Sequence, residues 1–248
     1  MNNVLVTGAS KGLGLEICKQ FLLEGWHVYC ISRTVSDELK NLINLSEELK
    51  NLVGNNLTHK KFDLSNPKDI KKELFKNFIT NSIPLHAVVH NAAIAYDDIV
   101  TNVRYDRLQQ MYDVNVLSPI MINRCAIRNM LFNQVQGSIV SISSISSATG
   151  YKGLSMYAST KGALQAHSKN LAREWGPRGI RFNCVVPGFM ETNMSDSLSK
   201  EQKDRIYNRT CLRKQTSKTS VAKTVTFLCS PSASSITGQD FYVDSGTI

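Results

Sequence analysis

The chain has no run of about 18 apolar residues, so no helix long enough to span a bilayer is expected. Its six cysteines (Cys18, Cys30, Cys125, Cys184, Cys211, Cys229) are scattered without a C-x-x-C pair, which argues against both a zinc site and a disulfide framework. No metal is expected. Between Met1 and the apolar run Val4-Leu5-Val6 there is neither a basic n-region nor a cleavage-type segment. Reduced thiols in a cytoplasm are therefore the expectation. Repeats, low-complexity tracts and Pro/Gly/Ser-rich linkers are also missing, and 248 residues suit one large α/β domain.

Acidic residues are scarce relative to basic ones, 20 against 29, giving a formal net charge of +9. Lysines and arginines stand singly or in pairs such as Lys60-Lys61, with no aromatic-interleaved basic stripe and no recognised nucleic-acid motif. Nucleic acid is not expected as a partner. The charge reads as a solvated surface that can also receive an acidic partner.

Short apolar runs alternate with amphipathic stretches. Val4 to Thr7, His27 to Ser32, Thr58 to Phe62, Leu85 to Val89, Ser138 to Ser143, Ile180 to Val186 and Phe241 to Val243 read as strands, with helical patterns between them. Such alternation predicts an α/β fold, a single-domain doubly wound parallel sheet with helices on both faces. Ligands of that architecture bind at the carboxyl ends of the strands. The polar segment between residues 190 and 215 reads as a substrate lid.

Gly8, Ser10, Lys11, Gly12, Leu13 and Gly14 form a glycine-rich turn directly after the first strand and at the start of a helix. Glycine lets backbone approach a pyrophosphate, and the helix start offers free N–H groups. An NAD site would carry an acidic residue at the end of the second strand, and here that acid is missing: the place holds Ser32-Arg33. Arg33 can fork onto a ribose 2′-phosphate, and Lys11 adds a second positive charge, so NADP(H) is the expected cofactor. Asp63 and Leu64 can bracket adenine, and the small side chains of Asn91-Ala92-Ala93 permit close approach. Each of these taken alone also reads as an ordinary strand-end turn.

Tyr157 and Lys161 stand at i and i+4, on one side of a helix. A nearby ammonium favours phenolate, so Lys161 is expected to bring the Tyr157 phenol down toward neutral pH, where it can pass a proton to a carbonyl oxygen. Ser144, thirteen residues upstream at a strand end, can donate to the same oxygen, with Ser143 a competing choice. Asn115, a polar residue in the largely apolar long helical pattern around Met111 to Met130, can hold a water leading to Lys161. A helix-surface Tyr-Lys pair and a capping serine are common structural features as well.

These motifs together, with Pro187-Gly188 and Thr192, resemble the short-chain dehydrogenase/reductase family along the whole chain. The resemblance implies that Asn115, Ser144, Tyr157 and Lys161 form an active tetrad. It also implies that Lys161 and Tyr157 touch the nicotinamide ribose, and that Pro187, Gly188 and Thr192 contact the nicotinamide end. Leu171-Ala172-Arg173-Glu174, Val186-Pro187-Gly188-Phe189-Met190-Glu191-Thr192-Asn193-Met194 and Ile236-Thr237-Gly238-Gln239 are most similar to bacterial 3-oxoacyl-(acyl-carrier-protein) reductases. That likeness implies reduction of a 3-oxoacyl thioester in fatty acid biosynthesis, a homotetramer, and carrier-protein docking at Arg128 and Arg173. Three departures stand out. Asn91-Ala92-Ala93-Ile94 replaces Asn-Ala-Gly-Ile, no Thr follows Asn115-Val116, and residues Ile145 to Met156 lack Gly-Asn-x-Gly-Gln. The last bears on the substrate, leaving a reductase of a sugar, polyketide or xenobiotic ketone as the alternative; a non-catalytic NADP-binding sensor or scaffold is a second.

Overall fold

Apolar strand runs flanked by helical segments collapse into one parallel sheet, because each strand here has two faces to cover. The computed structural model describes residues 1–53, 56–191 and 199–248, with backbone alone for residues 48–53. Seven strands, β1 (Asn3–Thr7), β2 (His27–Ser32), β3 (Leu57–Lys61), β4 (Ala87–His90), β5 (Ser138–Ile142), β6 (Arg181–Pro187) and β7 (Asp240–Val243), lie in the order β3-β2-β1-β4-β5-β6-β7. Every pairing is parallel.

Side-chain alternation divides the core in two. Val4 and Val6 of β1 face one side, where they meet Ile17 and Phe21 of α1 (Gly12–Leu23) and Val221 and Val225 of α8 (Lys218–Cys229). Leu39 of α2 (Asp37–Val53) joins this layer. Leu5 and Val88 face the other side, against Ile70 of the short α3 (Ile70–Glu73), Ile122 and Ala126 of α5 (Ser118–Phe132) and Leu171 of α6 (Ser155–Trp175). Each such Val, Leu, Ile or Phe side chain contributes about 1.5–3 kcal/mol by leaving water.

The expected strands are all present, with ends displaced by a residue or two. Leu85, expected to open the fourth strand, gives its N–H to Asn129 Oδ1 (2.8 Å), and pairing with β5 begins at Ala87. The long helical stretch expected around Met111 to Met130 is present, running without a break from α4 (Tyr105–Tyr112) through a π-turn at Asp113–Leu117 into α5. Part of the expected lid is helical, α7 (Lys200–Asn208), opened by a capping box in which Ser199 and Gln202 bond reciprocally. Residues 192–198 of that segment lie outside the described residues.

Strand order reverses between β1 and β4. The helices that follow these two strands pack on opposite faces of the sheet, with a crevice at its carboxyl edge.

Candidate active site

The crevice is a cleft of about 730 Å³ that runs from the loop after β2 to the C-terminal end of β6. Gly8, Ser10, Lys11, Gly12, Leu13 and Gly14 form part of its floor. Gly8 has φ +71° and packs against the β4 loop, where an added Cβ would lie 2.8 Å from Ala92 Cα. A Cβ on Gly14 would run into Gly8 O and Asn91 Nδ2. Gly12, at φ +60°, has nothing within 4 Å of where its Cβ would be. Two of these glycines are thus required by packing, and the third leaves open space over the cleft.

The turn is held from β4. Asn91 Nδ2 donates to Thr7 O (3.0 Å) and Gly8 O (3.1 Å), and Thr7 Oγ1 accepts from the N–H groups of Asn91 and Ala92, both at 3.0 Å. Asn91 therefore acts first on the glycine turn, while Ala92 and Ala93 line the cleft beside it. The first turn of α1 carries no side-chain cap at Lys11, so its N–H groups remain available. Such a start attracts anions.

Arg33 lines the same end of the cleft. It and Lys11 are exposed, and neither forms an ion pair among the described residues. No carboxylate occupies the end of β2. Asp63 and Leu64 also line this end; one Asp63 oxygen accepts from Ser65 N (2.9 Å).

At the opposite end, Ser143, Ser144, Tyr157 and Lys161 share one wall. The helical period of α6 sets the last two together, with Lys161 Nζ 5.6 Å from the Tyr157 ring centre. Lys161 Nζ donates to Ile142 O at 2.8 Å. The lysine is only 2% exposed. Burial pushes its ammonium down to about 8, and burial likewise raises the Tyr157 phenol well above its ordinary value, with Asp97 adding in the same direction. The expected lowering of Tyr157 by Lys161 is not found: desolvation penalises phenolate and ammonium alike, and the phenol is raised instead. The resting pair is a firmly protonated phenol beside a weakened ammonium.

Ser143 and Ser144 are now distinguishable. Ser143 is buried and its hydroxyl donates to Lys161 O at 3.3 Å. Ser144 is half-exposed; its Oγ accepts from Ser146 N (3.2 Å) and Ser146 Oγ (3.0 Å), which leaves its own hydrogen free to point into the cleft.

Asn115 does not line the cleft. It is buried in the π-turn, where its side chain binds Ile94 N and O, each at 2.9 Å, and donates to Thr160 Oγ1 at 3.0 Å. It ties the loop after β4 to the residue beside Lys161. Pro187 and Gly188 line the cleft at the end of β6. Gly188 is also hemmed in, since a Cβ would meet Thr216 Oγ1 and Asp244. Thr192 lies outside the described residues. Arg128 and Arg173 are exposed on α5 and α6, and neither lines the cleft.

Asp97 and Phe189, neither assigned to the site from the sequence, close the Tyr157 end of the cleft together with Tyr151 and Leu154 of the Ile145 to Met156 segment and Ile206 of the expected lid. Ile206 had a local signal, since Ser199-x-x-Gln202 announces α7. Asp97 had none. Among the described residues no three His, Cys, Asp or Glu side chains come together, and no helix is long and apolar enough to cross a membrane.

A family model described as enoyl-(acyl carrier protein) reductase matches residues 8–247. The 3-oxoacyl-(acyl-carrier-protein) reductase FabG of Rickettsia felis is 33% identical over 244 residues, covering 98% of this chain and 95% of the relative. Among solved structures, a short-chain dehydrogenase from Burkholderia cenocepacia in complex with NADP superposes with a TM-score of 0.88 at 26% identity, over 99% of this chain and 97% of the other. A 4-hydroxyisoleucine dehydrogenase complexed with NADH, 24% identical, matches with a TM-score of 0.89 over 100% and 98% of the two chains, which establishes the shared fold.

Proposed function

The chain belongs to the short-chain dehydrogenase/reductase family of oxidoreductases, and on that premise we propose that it reduces a ketone to a secondary alcohol with NADPH, its first substrate a 3-oxoacyl thioester on acyl-carrier protein. The observation that carries the reading is the shared wall of Ser144, Tyr157 and Lys161 in the same cleft as an anion-seeking glycine turn.

The fold accommodates either nicotinamide cofactor, since one structure of this shape holds NADH and another NADP. The choice therefore falls to the residues at the β2 end. Arg33 and Lys11 offer two cations without a salt bridge among the described residues, and no carboxylate stands at the end of β2, a set that suits a 2′-phosphate. The glycine turn and the uncapped start of α1 suit the pyrophosphate.

The nicotinamide, when bound, supplies hydride. What remains for the protein is to hold the ketone and deliver a proton. Tyr157 is kept protonated by burial and by Asp97, the form in which it can donate Oη–H to the carbonyl oxygen. Ser144 offers a second donor to the same oxygen and so stabilises the developing alkoxide. Lys161, fixed on Ile142 O, places a positive charge under the Tyr157 ring as the phenol loses its proton.

Ile145, Leu154, Phe189, Met190 and Ile206 give the Tyr157 end of the cleft an apolar lining that suits an acyl chain. Arg128 and Arg173, exposed away from the cleft, suit an acidic carrier protein that stays outside while its acyl group enters. The test is NADPH oxidation with acetoacetyl-carrier protein, acetoacetyl thioesters, an enoyl thioester and a panel of sugar and aliphatic ketones. Turnover of the 3-oxoacyl thioesters well above the others is expected. Turnover of the enoyl thioester or of a free ketone without thioester activity overturns the substrate assignment.

A further inference from the structure

We infer that His59 is a positioning residue for recognition of the adenosine 2′-phosphate, acting through Ser32 to set the turn that presents Arg33; this rests on the NADPH reading above. His59 sits on β3, the edge strand, paired in register with Cys30 of β2. Its side chain shares a sheet face with Ser32, two residues along, and Nε2 lies 2.8 Å from Ser32 Oγ.

A hydroxyl has one hydrogen. Ser32 Oγ spends it on Thr34 O at 2.7 Å, so it must accept from His59 Nε2–H. The relay His59 to Ser32 to Thr34 closes the backbone over Arg33 from one side. On the other side Ser36 Oγ donates to Ser10 O in the glycine turn and accepts from Leu39 N at 3.1 Å at the start of α2. The three residues Arg33–Val35 are thereby strung between two clamps, one on β3 and one on the phosphate turn. Arg33 makes no hydrogen bond or ion pair of its own among the described residues that would hold it in place. Its aim depends on its backbone.

His59 is half-buried, and burial depresses its imidazolium, so the neutral ring that donates from Nε2 is the form at neutral pH. No other feature of β3 explains a histidine aimed at this hydroxyl: Lys60 turns to Glu73, and Thr58 meets His27.

The test is calorimetric titration of the whole enzyme with adenosine 2′,5′-bisphosphate and with adenosine 5′-monophosphate, probes that differ only by the 2′-phosphate. His59→Ala should weaken the bisphosphate by a factor of about 3–10, the worth of one hydrogen bond, and leave the monophosphate unchanged. His59→Gln, which keeps an N–H donor, should restore part of the preference, and Ser32→Ala should reproduce the loss if His59→Ala does not fold. A full preference in His59→Ala, or an equal loss for both probes, overturns the inference while leaving Arg33 in place. If the parent protein shows no preference, or Arg33→Ala retains it, the cofactor reading itself falls, and the role of His59 with it.

Discussion

At the scale of single residues, the site places two titratable side chains where burial works against both charged forms. Tyr157 is the group whose removal speaks most directly to chemistry. Tyr157→Phe should lower kcat on the order of 10²–10⁴-fold while NADPH affinity and the thermal midpoint stay near parental values, because only the proton donor is lost. Steady-state rates paired with a melting curve check this, and retained activity would remove Tyr157 from its role. Lys161 makes the complementary case. Its ammonium is pushed from 10.5 to about 8, so holding it charged in the core costs on the order of 3 kcal/mol at neutral pH, offset in part by its bond to Ile142 O. The sign follows from linkage: between pH 8 and 10.5 the unfolded chain binds more proton, so the cost is whole below pH 8 and fades above it. Lys161→Met should therefore abolish turnover yet raise unfolding stability at pH 7 by one to a few kcal/mol, about half of which would vanish near pH 9. Denaturant unfolding at both pH values decides it, and a destabilised Lys161→Met would show that the lysine is a structural asset.

How much of this was readable at the residue scale depended on the reach of each contact. The Tyr157–Lys161 pairing follows from helical period and needs no tertiary information. The Ser143 and Ser144 alternatives could not be separated in the same way, since at a strand end a one-residue shift exchanges the buried face for the open one. Asp97 entered the cleft through an irregular loop with no period, and the upward push of burial and Asp97 on the Tyr157 phenol is invisible until the surroundings are known.

At the scale of elements, the β1-turn-α1 unit assigns its glycines unequal duties. Gly14 packs against Gly8 O and Asn91, both fixed by the sheet, so Gly14→Ala must push α1 away from β1 and should destabilise by several kcal/mol or prevent folding. Gly12 has free space but a positive φ. Gly12→Ala should fold with a loss of about 1 kcal/mol from strain, and lose dinucleotide affinity more than tenfold because the new methyl stands in the open cleft. Unfolding free energy and NADPH titration on the two variants separate these duties; equal effects on both would contradict the division. The strand-turn-helix pattern was legible because glycines and apolar runs are local signals. The π-turn at Asp113–Leu117 was not, because nothing in Asp-Val-Asn-Val-Leu breaks a helix; it forms where Asn115 reaches across to Ile94 and Thr160. The capping box of α7 was present in Ser199 to Gln202 and was overshadowed by the polar composition around it.

At the scale of the whole molecule, the parallel sheet and the two-sided core followed from strand-helix alternation, whereas the order of the strands and the buried polar links between layers did not. One of these links sets a pH dependence. His90, at the end of β4 beside Asn91, is 2% exposed; its Nε2 meets Asn123 Oδ1 at 2.6 Å, and Asn123 Nδ2 in turn meets His167 at 3.3 Å. Burial pushes His90 down to about 4, with the hydrogen bond to Asn123 opposing, and His167 and Lys161 lowering it further. His59, His86 and His167 are also lowered by burial. A histidine depressed from 6.5 to about 4 leaves the unfolded chain binding more proton between those values, so stability is whole above pH 6.5 and declines as pH falls toward 4. His90 alone accounts for about 3 kcal/mol of that decline. Most carboxylates begin to protonate only near the lower end of this window, so its upper half reports the histidines. His90→Asn keeps an N–H for Asn123 and removes the titration; its urea-unfolding free energy should fall less steeply than the parent's between pH 6.5 and 5. Parallel slopes in the two proteins would show that His90 is already solvated when it takes its proton, and that the charge of the molecule as a whole, +9 before any histidine titrates, governs its acid unfolding instead.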